Sequence, residues 1–117
     1  MKDQSVYIAT ALECIGLIQD YTSGFTLETF LADRKTQDAV IRNLEVIGQA
    51  LKDFGMEVLT EKMPQMPWPQ VAGMRNVLAH EYLGVDMVMI WDTVQLHLND
   101  LRQALEKIQA DDNGGLH

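Results

Sequence analysis

Residues 33–55 read DRKTQDAVIRNLEVIGQALKDFG, and this stretch decides what kind of fold the chain adopts. Val40, Leu44, Ile47, Leu51 and Phe54 follow one another at alternating steps of four and three. That spacing gathers side chains onto one face of a 3.6-residue helix. Asp33 stands where an N-cap belongs, with a short carboxylate that takes an orphan backbone N–H. Gly55 stands where the helix must stop. A seam of this regularity packs against another helix at a shallow angle.

Working outward gives more of the same. On the N-terminal side a helix is expected over residues 3–21, because Ile8, Leu12, Ile15 and Ile18 share a face. Ser23-Gly24 ends it, and a short helical turn is expected over 27–32. On the other side, residues 56–70 read as irregular and carry all three prolines, Pro64, Pro67 and Pro69. Pro69 suits the first turn of a following helix over 69–83, since that amide has no helical partner, and Gly84 caps its end. Asp86 opens the last helix, where Trp91, Val94, Leu98, Leu101, Leu105 and Ile108 form the most regular seam in the chain. Gly16 and Gly48 fall inside helices, where glycine costs about 1 kcal/mol against alanine, so a close helix crossing is expected at each. No segment has the alternation of a strand. The expectation is an all-α, up-and-down bundle of four to five helices, one domain over residues 1–110 followed by a flexible polar tail, 111–117.

At 47% apolar and 22% charged residues, the chain has globular rather than disordered composition. Its first residues, MKDQSVYIATALECIG, lack the basic flank, apolar core and small-residue cleavage site of a secretory signal. No apolar run approaches the roughly 20 residues of a membrane span, so a soluble, cytoplasmic protein without a membrane role is expected. Cys14, the single cysteine, makes neither an internal disulfide nor a cysteine metal cluster, and reads as a buried, inert thiol. The net charge of −8 argues against broad electrostatic attraction to nucleic acid. An RNA site here must be a local basic groove on an acidic body. Phosphate-loop, HExxH and EF-hand patterns are missing. His97 and His117 lack a neighbouring carboxylate or cysteine in the sequence and read as structural or surface residues, so neither metal nor cofactor is expected. The seven methionines read as gap-fillers and partner-facing side chains.

One segment stands apart, Gly73-Met74-Arg75-Asn76-Val77-Leu78-Ala79-His80-Glu81-Tyr82. The spacing of Arg75 and His80 alone favours a salt-bridged arginine and a satisfied histidine at a helix end. The chemistry is more specific. Cleaving RNA without a metal needs one group to take the 2′-OH proton, another to protonate the departing 5′ oxygen, and positive charge on the phosphorane. Histidine titrates in the right range for the proton transfers. Arginine stays charged and grips phosphate with a planar fork. Tyrosine hydrogen-bonds a phosphate or stacks on a base. In a straight helix at about 100° per residue, Arg75 and Tyr82 lie nearly in line while His80 is rotated by about 140°. Either the helix loosens before Gly84, or residues from two chains combine. A two-fold dimer would set His80 of one copy beside Arg75 of the other and supply two histidines, one as base and one as acid. A dimer is expected.

Arg75-Asn76 followed by His80 resembles the hallmark of the HEPN superfamily, and R-x4-H-x-Y over Arg75–Tyr82 resembles its HepT toxins. The block from Ala39 to Gly48 is similar to that family's second helix, and Trp68 to Gly73 is similar to its lead-in to the motif. Gln49 departs from the pattern, where family members often carry Glu. The resemblance spans nearly all of residues 5–108 and implies a HEPN-type bundle that dimerises or assembles further. It implies a metal-independent endoribonuclease acting on tRNA or mRNA, with its site between protomers. In that reading His80 transfers protons, Arg75 binds the scissile phosphate, Asn76 orients it or caps the kinked helix, and Tyr82 contacts substrate; Arg42 either lines the groove or stands on a solvated helix face. It also implies an MntA-type minimal nucleotidyltransferase as antitoxin, which transfers AMP onto Tyr82. Bulk and negative charge placed in a phosphate-binding cleft would exclude RNA. The alternative is a non-catalytic HEPN module serving as nucleotide-binding or scaffold partner of a nucleotidyltransferase.

Overall fold

The computed structural model describes residues 4–71 and 86–114, with side chains to residue 111. These residues form helices and connecting turns, with no strand among them. Helix α1 is Ser5–Thr22, α2 is Leu27–Leu31, α3 is Arg34–Phe54 and α4 is Met56–Lys62. Helical structure resumes over 68–71. On the far side come α5, Met87–Asp92, a π-helical segment, Thr93–His97, and α6, Leu98–Gly114. No described helix is long and apolar enough to cross a membrane.

Helix α3 is built as its sequence dictates. The Asp33 carboxylate accepts the Thr36 amide at 3.1 Å, and Gly55, at φ 120°, stops the helix where an L side chain would be strained. The whole Val40–Phe54 seam is buried. It packs against α1 through Ile8, Ala11, Ile15 and Ile18, the principal pairing of the bundle. Helix α6 also packs against α1 and adds Leu101, Leu105 and Ile108 to the core.

The short helix α2 is held at both ends. Thr26 and Thr29 exchange side-chain-to-backbone hydrogen bonds of 3.2 and 2.8 Å in a capping box. At its C-terminus the buried Gln37 amide donates to the carbonyls of Phe30, at 2.9 Å, and Leu31, at 3.1 Å. That bond set satisfies orphan carbonyls and ties α2 to α3. Phe30, fully buried, sits against Trp91 of α5 with ring centroids 5.2 Å apart and planes tilted by 37°.

Two expectations need correction. Residues 56–62 are helical, not irregular: the Gly55 carbonyl accepts the Leu59 amide at 3.1 Å to start α4, and the fully buried Leu59 anchors it. The helix-breaking prolines begin only at residue 64, so they bound α4 rather than forbid it. Gly16 does not mark a close approach of two backbones either. A Cβ there would meet the guanidinium end of Arg102 at 3.5 Å, an ordinary contact with a flexible side chain.

The last helix winds unevenly for a reason that its buried residues reveal. Ile90, Val94 and Leu98 are all in the core at successive steps of four, and an α-helix at 3.6 residues per turn drifts by about 40° at each such step. The π segment spends more residues per turn and removes the drift, marked by the Leu98 amide bonding the Thr93 carbonyl five residues back. The Thr93 hydroxyl donates to the Met89 carbonyl at 3.0 Å, the kind of side-chain competition that loosens a helical ladder.

Candidate active site

Arg75, Asn76, His80 and Tyr82, the residues that carry the sequence motif, lie outside the described residues. What the structure does define is how the chain leads into and out of them. On the entry side the anchor is Trp68, fully buried. Its indole Nε1 donates to the Met63 carbonyl at 2.8 Å, and that carbonyl also accepts the Met66 amide at 3.2 Å. The indole therefore pins a proline-bearing loop, 63–67, against the core. The Pro67 carbonyl then accepts the amides of Gln70 and Val71 at 3.0 and 3.1 Å, starting a helix. Pro69 sits in that first turn, where its missing N–H leaves no bond unmade.

On the exit side the anchor is Asp86. Its carboxylate accepts the amides of Val88 at 2.9 Å and Met89 at 3.4 Å, an N-cap for α5. Four residues later Ile90 is buried in the core. The motif thus belongs to a segment fastened at both ends, by a buried indole and by a capping carboxylate.

Of the expected site residues only Arg42 is described. It stands exposed on α3, away from that helix's buried seam. Cys14 is buried as expected, and its thiol is pushed up from the ordinary value by burial first and by the neighbouring Glu13 carboxylate second. Among the described residues no group of three or more His, Cys, Asp or Glu is placed to hold a metal ion.

A groove of about 610 Å³ opens between the entry segment and the last helix. Met66, Pro67 and Val71 form one wall, with Leu98 and Leu101 opposite. His97, expected to be a structural or surface residue, is exposed and lines this groove beside Thr93. Spacing alone does not single it out: the wide turn at Thr93–His97 makes sense only once Ile90, Val94 and Leu98 are seen to be buried together.

A family model described as ribonuclease HepT-like matches residues 11–108. The chain belongs to the HepT-like ribonuclease family. Its helical architecture is accordingly a HEPN-type bundle. It is 40% identical over 103 residues to a probable ribonuclease HepT of Thermococcus cleftensis, covering 88% of this chain and 93% of that one. It is 38% identical over 110 residues, 94% of its length, to a Methanocaldococcus jannaschii protein named as a gamma-glutamylcyclotransferase and candidate RNase, and it spans 49% of that longer protein. A more distant HepT relative, the mRNA nuclease HepT of Shewanella oneidensis, is 27% identical over 130 residues, covering 89% of this chain and 94% of that one. No solved structure is a significant match to the chain.

Proposed function

We propose that this HepT-like chain is a metal-independent endoribonuclease and the toxin of a type VII, HepT/MntA-type toxin–antitoxin pair. The observation that carries the reading is the R-x4-H-x-Y pattern from Arg75 to Tyr82, inside the span matched by the family and between the Trp68 and Asp86 anchors.

The ribose 2′-oxygen attacks the adjacent phosphorus as His80 takes its proton. The bond from phosphorus to the 5′ oxygen breaks, and His80 of a second copy protonates the departing oxygen. The products are a 2′,3′-cyclic phosphate and a 5′-hydroxyl, and the two histidines exchange protonation states. Arg75 grips the phosphate and stabilises the charge that grows on its oxygens. Asn76 orients the same group, and Arg42 contributes positive charge to the rim of the RNA path. The homodimer assembles the site, in the cytoplasm. The Shewanella relative's name makes mRNA the first substrate to test and tRNA the second.

An MntA-type nucleotidyltransferase neutralises the enzyme by joining the Tyr82 phenol to the α-phosphorus of ATP and releasing pyrophosphate. The attached nucleotide then occupies the phosphate-binding cleft. Mass spectrometry after incubation with such an enzyme and ATP is expected to show added AMP on the wild-type chain and none on Tyr82→Phe. Modification that persists in Tyr82→Phe contradicts this assignment.

A further inference from the structure

We draw no further inference here: the strongest candidate, the groove of about 390 Å³ where the end of α1 meets the π-helical segment, is lined by the uncharged polar side chains of Gln19, Thr22, Ser23, Gln95 and Asn99, and nothing in the structure shows what occupies it.

Discussion

The indole Nε1 of Trp68 donates to the carbonyl of Met63 at 2.8 Å, with the ring fully buried. The bond closes the five-residue loop that precedes the motif segment and gives the ring's one polar atom a partner, as a buried tryptophan requires. The position of the loop thus depends on the core rather than on the loop's own residues.

Trp68→Phe tests that dependence. The Met63 carbonyl keeps its bond from the Met66 amide, so the loss is one hydrogen bond and part of a buried ring, about 1–2 kcal/mol. Urea denaturation is expected to show a lower midpoint with an unchanged slope. An unaltered midpoint would mean that the indole bond does not hold the loop.

Gly16→Ala should go the other way. Among the described residues the added methyl meets only the Arg102 guanidinium end, at 3.5 Å, and alanine removes the cost of glycine within a helix. A gain of about 0.5–1 kcal/mol is expected, read as a rise of several degrees in Tm. A fall in Tm would restore the tight helix crossing that the sequence suggests.

Burial holds the Cys14 thiol protonated to a higher pH than in the unfolded chain, with Glu13 acting in the same sense. Above the ordinary thiol value, about 8.5, the unfolded chain binds fewer protons than the folded one, so stability falls as pH rises. Below that value the two states bind equally and the contribution is flat. Denaturation midpoints at pH 7 and pH 9.5 should separate less in Cys14→Ala than in wild type. A thiol reagent that titrates the folded chain rapidly at pH 8 would contradict the burial.

The bundle was legible in the sequence where two signals coincide at one place. Asp33 and Gly55 cap a helix whose apolar face is periodic, and Asp86 caps the next long one. Helix α4 was missed because the prolines at 64–69 colour the reading of residues before them, although proline disfavours helix mainly at its own position and the one preceding it. The π segment was missed because a seam begun at Trp91 runs at perfect steps of three and four. Only with Ile90 known to be buried does the need for a wider turn show. The proposed chemistry rests on residue type and order alone: Arg75, His80 and Tyr82 lie outside the described residues. The groove at His97 arises from chain segments far apart in sequence, which spacing does not reveal.

The central claim is that His80 moves the protons of a metal-free transesterification. The measurement that tests it most directly is the chemistry of the RNA ends made by the purified chain in the presence of a chelator, alongside His80→Ala. The account predicts 2′,3′-cyclic phosphate and 5′-hydroxyl ends from the wild type, and at least a hundredfold slower cleavage by a His80→Ala chain of unchanged Tm. Ends bearing 5′-phosphate, or a His80→Ala chain that cuts as fast as wild type, would contradict it.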